Sequence, residues 1–148
     1  MNFKYGTYGA IAKRDLEDME FLKDSRPHIA TQSAQQAIEK ILKHYINETY
    51  TGLDKSDILK VHKLILLANK TNIPELMNYR STLRNLTDFY FEGRYPGIDY
   101  FEPTVDDLNL VVQDVRDIFQ IVENYISNIN VQKTSLLGSL NKMNLKSK

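Results

Sequence analysis

The chain has 148 residues, enough for one domain with a single substantial core and too few for two of ordinary size. Lysine plus arginine (19) equals aspartate plus glutamate (19), so no overall field draws in nucleic acid or an anionic membrane, and any polyanion has to be met by a local patch. The absence of cysteine excludes disulfides, thiolate metal sites and cysteine nucleophiles, and with no signal-length apolar run in MNFKYGTYGAIAKRD and no membrane-length one elsewhere, a cytoplasmic chain is expected.

Helical periodicity runs almost throughout and no strand alternation persists, which makes the class all-α. A first helix is expected from about Ala10 to Leu22, with Ile11, Leu16, Met19 and Leu22 as its apolar positions. Ser25-Arg26-Pro27 opens a second, because serine caps and a proline in the first turn gives up an N–H that has no helical partner. Ile29, Ala34, Ala37, Ile38, Ile41, Leu42, Tyr45 and Ile46 form its buried face, where the small alanines admit a close neighbour. Thr51-Gly52-Leu53-Asp54 breaks it. Asp54 or Ser56 then caps a third helix carrying Ile58, Val61, Leu64, Ile65 and Ala68.

Asn72-Ile73-Pro74 separates a fourth helix, with Leu76, Tyr79, Leu83, Leu86 and Tyr90, which frays into the aromatic stretch DFYFEGRYPG at Asp88–Gly97. After the loop IDYFEPT, Thr104 is the N-cap of a long fifth helix, with Asp107 three residues on as a variant of the capping box. Val105, Leu108, Val112, Val115, Phe119, Val122 and Ile126 follow one another in steps of three and four, the seam of antiparallel or coiled-coil packing, and Ile118 and Ile121 widen it. Residues 131–148 hold four lysines and no acid, leaving a mildly acidic body of 15 basic against 19 acidic residues. This segment is expected as a flexible, lysine-containing tail, with Leu136, Leu137 and Leu140 able to dock as one turn.

These elements make an up-and-down bundle of about five helices over residues 1–130 and point to no chemistry by themselves. His28, His44 and His62 lie far apart in sequence and not at metal spacing with carboxylates, and there is no nucleophile elbow, P-loop or glycine-rich cofactor turn. Asp106-Asp107 sits at a helix start, where capping accounts for it. No metal or cofactor is expected.

The run ATQSAQQAIEKILKHYI, a helix beginning at His62-Lys63-Leu64, and FEGRYPG before a long last helix resemble, in order and separation over most of residues 10–127, the HEPN family, whose name refers to nucleotide binding in higher eukaryotes and prokaryotes. The resemblance implies a helical bundle, frequent homodimers, and work on RNA or nucleotides, often beside a small partner nucleotidyltransferase. RNA-cleaving members of that family resemble one another in an arginine with a polar neighbour, followed after four to six residues by a histidine. The nearest match here is Arg84-Asn85-Leu86-Thr87-Asp88-Phe89, with Phe89 at the histidine's place, and none of Arg14, Arg26, Arg80, Arg94 and Arg116 has a histidine at that separation. Phenylalanine cannot take a 2′-hydroxyl proton, so the resemblance implies the fold without the standard nuclease.

Arginine offers a planar fork to phosphate and tyrosine a stacking face to a base, which makes Arg84, Asn85, Tyr90, Arg94 and Tyr95 the candidate nucleotide- or RNA-binding residues. The structural alternative has Phe89, Phe91 and Tyr95 plugging the bundle end and Arg94 paired with Glu92 or Asp99. The expected function is a non-catalytic binding module for nucleotide, RNA or a partner nucleotidyltransferase, working as a homodimer. The alternative is a metal-independent ribonuclease whose base comes from elsewhere, from His28 or His62.

Overall fold

Thr7 accepts the amide of Ala10 at 3.3 Å and so caps α1, Tyr8–Leu22. In this computed structural model, which describes residues 1–146, α2 (Pro27–Thr49) then starts with proline at its first turn as the sequence predicts, but Arg26 is the N-cap and no side chain caps it, so Ser25 does not play that part. The 23 residues of α2 are the axis of the molecule. It packs against α1 and against every longer helix that follows, and Ala30, Ala34, Ala37, Ile38, Ile41, Leu42 and Ile46 are buried along it.

The third predicted helix is two pieces, α3 (Lys55–Ile58) and α4 (Leu64–Thr71), and neither has a side-chain cap from Asp54 or Ser56. Side chains explain the break between them. Gln35 of α2 donates to the carbonyl of His62 at 3.4 Å, and Thr87 accepts the amide of Leu64 at 3.2 Å, so backbone groups that would extend a helix are held by other elements. Asn72 ends α4 in the left-handed conformation, with φ of 56°. The fourth predicted helix likewise divides into a 3-10 segment, Pro74–Tyr79, and α5, Arg80–Glu92.

The capping box is present as predicted: Thr104 accepts from the amide of Asp107 at 3.2 Å, and the Asp107 carboxylate accepts from the amide of Thr104 at 2.8 Å. It opens only α6, Val105–Asn109, before the chain restarts as α7, Val112–Lys146. The predicted seam survives this break, because Leu108, Val112, Val115, Phe119, Val122 and Ile126 are all buried. Arg116 on α7 clamps Glu20 on α1 through two bonds of 2.6 and 2.9 Å, which holds the carboxyl of Glu20 below its ordinary range. The chain stays helical through Lys146, with its described side chains exposed beyond Asn130. Residues 147–148 of that tail lie outside the described residues.

Every regular element among the described residues is helical, and the fold is an all-α bundle. No described helix is long and apolar enough to cross a membrane.

Candidate functional site

Polar residues recur on α2 at Gln35, Glu39 and Lys43, four apart, and so share one stripe of the helix. Because α2 is enclosed, that stripe is buried: Glu39 is 5% exposed and Lys43 4%. The carboxylate of Glu39 collects donors from three sides. Lys43 Nζ reaches Oε2 at 3.1 Å, Gln35 Nε2 reaches Oε1 at 3.2 Å, and His62 Nδ1 lies 3.1 Å from Oε1. An ionised carboxylate only accepts, so Nδ1 of His62 carries the proton and Nε2, the ring atom remote from Glu39, is left as an acceptor in the neutral imidazole. The side chain of His62 is 61% exposed. A buried carboxylate thus orients an imidazole that faces solvent.

His62 belongs to the connector Lys60-Val61-His62-Lys63 that leads into α4, and the tie from Leu64 to Thr87 lays this connector against α5. Arg84 leaves α5 three residues before Thr87, about 4.5 Å along the helix axis from that tie. Lys60, Lys63 and Arg84 are exposed, and among the described residues none of them meets a carboxylate at ion-pair distance. Asn85 is exposed beside Arg84. Three exposed cations and a held imidazole therefore lie on two segments, the connector and α5, that the bond from Leu64 to Thr87 joins.

The five residues singled out from the sequence do not share a surface. Tyr90 follows Arg84 by six residues, which sets it about 120° around α5 from the arginine. It belongs with Arg94, whose guanidinium stacks 4.8 Å from its ring centroid and hydrogen-bonds its hydroxyl. Arg94 pairs with neither Glu92 nor Asp99, and Tyr95 is exposed in the loop beyond. Of the proposed plug, Phe89 stacks on Phe101 at 5.5 Å, while Phe91 and Tyr95 stay exposed. The loop surface has the wrong sign for a phosphate, since residues 88–107 hold six acids against Arg94 alone.

A sequence model of the HEPN domain matches residues 8–125. The chain belongs to the HEPN family. No curated protein and no solved structure matches it significantly. Within this HEPN chain the match covers the buried stripe of α2, the connector before α4 and the aromatic loop, and stops at Tyr125, just before the buried Ile126 of α7.

Sequence reasoning missed Glu39, Lys43, Gln35, Lys60 and Lys63. A signal was there, in the four-residue spacing within AQQAIEK and in the KVHK run, but spacing alone cannot say that another helix covers the stripe. The other histidines of the HEPN chain have structural surroundings. His44 accepts the amide of Gly9 at 3.0 Å and meets Phe3 edge to face, and burial holds its imidazole below the ordinary value. His28 lies 3.7 Å from Glu102 at the surface. No group of three potential metal ligands occurs among the described residues.

Proposed function

We propose that this HEPN chain binds the phosphates of a nucleotide or of single-stranded RNA on the face made by Lys60, His62, Lys63 and Arg84, and that binding is its work. One observation supports the reading: in a charge-balanced chain, Lys60, Lys63 and Arg84 are exposed on two segments joined by the bond from Leu64 to Thr87, and none has an acidic partner at ion-pair distance among the described residues. A guanidinium takes two phosphate oxygens at once and ammonium groups add compact charge beside it. The test is fluorescence anisotropy of labelled single-stranded RNA and of nucleotides. Arg84→Ala and Lys63→Ala are each expected to weaken binding about ten-fold, as loss of a charged hydrogen bond does, with the melting temperature unchanged. Affinity unaffected by both changes would remove this face from consideration.

A second reading has its own observation, the solvent-facing imidazole of His62 backed by buried Glu39. In that reading Nε2 takes the proton of a ribose 2′-hydroxyl, the freed oxygen attacks the adjacent phosphorus, and the 5′-oxygen leaves as a hydroxyl with a proton drawn from solvent to give a 2′,3′-cyclic phosphate, with Arg84 holding the phosphate charge. Phe89, packed on Phe101, has no part in it. Metal-free cleavage lost in both His62→Ala and Arg84→Ala would select this reading over binding alone. Loss of the base costs about 10²- to 10⁴-fold in rate.

A further inference from the structure

The aromatic stretch after α5 is anchored at both ends. Phe101 donates its amide to the carbonyl of Glu92 at 3.2 Å, and its ring stacks on Phe89 at 5.5 Å, so the chain that leaves α5 is brought back to it. Gly93 permits this closure, because a Cβ there would come within 2.9 Å of the carbonyl oxygen of Phe89 and 3.2 Å of that of Phe101. A turn closes the far side, where Tyr100 donates its amide to the carbonyl of Gly97 at 3.2 Å. Between this loop and the last turn of α5 lies a cleft of about 310 Å³.

The lining of the cleft suits a cation. Phe91, Tyr95 and Tyr100 stand in it beside the carboxylates of Glu92 and Asp99. The three aromatic residues are 39%, 62% and 50% exposed, so the core does not use them up. Neither Glu92 nor Asp99 has a basic partner at ion-pair distance among the described residues. Rings attract a cation over their faces and carboxylates accept its N–H groups, so one kind of ligand answers both. Arg94, the cation of the loop itself, does not fill the cleft, since its guanidinium is held on Tyr90 outside the lining.

Guanidinium fits this lining better than the other cations. It is planar and weakly hydrated, and it can stack on a ring while its edge forks to a carboxylate, whereas ammonium is compact and strongly hydrated. A hard metal ion wants more oxygen ligands, and no group of three potential ligands occurs among the described residues. Free arginine brings a carboxylate of its own, which the six acids of residues 88–107 repel, but an arginine within a polypeptide does not. We propose that this cleft binds the arginine side chain of a partner polypeptide, its guanidinium taken by the aromatic residues together with Glu92 and Asp99. Asp88, one turn before Glu92 on α5, and Asp106 on α6 also lack a basic partner among the described residues and favour further basic residues beside that arginine. Arg84, Lys60 and Lys63 are not in the lining, so the site is separate from the phosphate face and neither reading depends on the other.

Nuclear magnetic resonance of the isotope-labelled full chain, titrated with acetyl-Gly-Arg-Gly-amide, is expected to show saturating shifts at the amides of Phe91, Tyr95 and Tyr100 at millimolar peptide. The citrulline peptide keeps the shape without the charge and should leave those amides in place, while the lysine peptide and free arginine should bind more weakly. Glu92→Gln with Asp99→Asn is expected to weaken the arginine peptide about ten-fold or more, as loss of hydrogen bonds to a charged group does. Tyr95→Leu and Tyr100→Leu, which keep an apolar side chain and remove the ring, should each weaken it about two- to five-fold. None of these four side chains is buried, so helical content should not change. An absence of shifts at the cleft, or equal binding of the citrulline peptide, would overturn the proposal. So would affinity unchanged in both tyrosine variants or a lysine peptide that binds as well, either of which would reduce the cleft to an acidic surface. Free arginine binding as tightly as the peptide would also overturn it, by making the ligand a small molecule.

Discussion

Glu39 shows how a residue changes meaning when its surroundings are supplied. Read along α2, Gln35, Glu39 and Lys43 form a polar row of the kind that usually faces water. Enclosed by α1, α4, α5 and α7, the same row becomes a buried ion pair with an amide and an imidazole attached. Removing one partner leaves the other charged and dry, so Glu39→Ala is expected to cost about 3 to 5 kcal/mol in urea denaturation, while replacing the pair together, Glu39→Leu with Lys43→Met, is expected to be close to neutral. A small cost for the single change would mean that Lys43 finds water. His44 gives a second prediction. Burial, the largest cause, holds its imidazole below the ordinary 6.5, with Lys133 acting the same way and Glu48 opposing. The unfolded chain therefore takes up a proton that the folded one resists. Stability is fully present above that ordinary value and declines as the pH falls from it toward the folded value, by at most about 1.4 kcal/mol per pH unit. Protonation at Nδ1 would also abolish the bond from Gly9. Denaturation across this window is expected to show the slope in the wild type and its loss in His44→Gln; an identical slope in both would place the titration elsewhere.

At the scale of elements, what the sequence made legible is what depends on neighbours along the chain. The capping box at Thr104 needs only the side chains of Thr104 and Asp107 and their own amides, and it forms as read. Pro27 at the first turn of α2 and the seam of the last helix are local in the same way. The misread elements are those decided by contacts from far away. The third helix splits because Gln35, 27 residues from His62, and Thr87, 23 residues from Leu64, take its backbone groups. Periodicity in Ile58, Val61, Leu64 and Ala68 survives such a break, since apolar positions stay on the core side of a bent path. The candidate site was half legible for that reason. Arg84 and Asn85 stand exposed on α5, but the tie from Leu64 to Thr87 that joins the connector to that helix is tertiary. Tyr90 and Arg94 were grouped with Arg84 by closeness in sequence, which a helix of 3.6 residues per turn does not respect.

For the whole molecule, the division that matters falls near Asn130. Up to it, α7 contributes Val112, Val115, Ile118, Phe119, Val122 and Ile126 to a core shared with α2. Past it, Lys133 ties the helix to the body through its bond to Glu48, between side chains 56% and 37% exposed. An ion pair that exposed is worth at most about 1 kcal/mol. Deleting residues 131–148 is therefore expected to leave the body folded, with the free energy of unfolding lowered by no more than about 1 kcal/mol when measured at a dilution where copies do not pair. The free chain end of α7 would fray, which costs little because none of its described side chains is buried. Net charge also moves, from zero to an excess of four acids, and a body of that sign should bind a polyanion more weakly at long range while the local face at Lys63 and Arg84 is untouched. Denaturation of the deleted chain separates these effects. A loss of several kcal/mol would mean that Leu136, Leu140 and Met143 fold back onto the body of their own chain, and these side chains would then be part of one core.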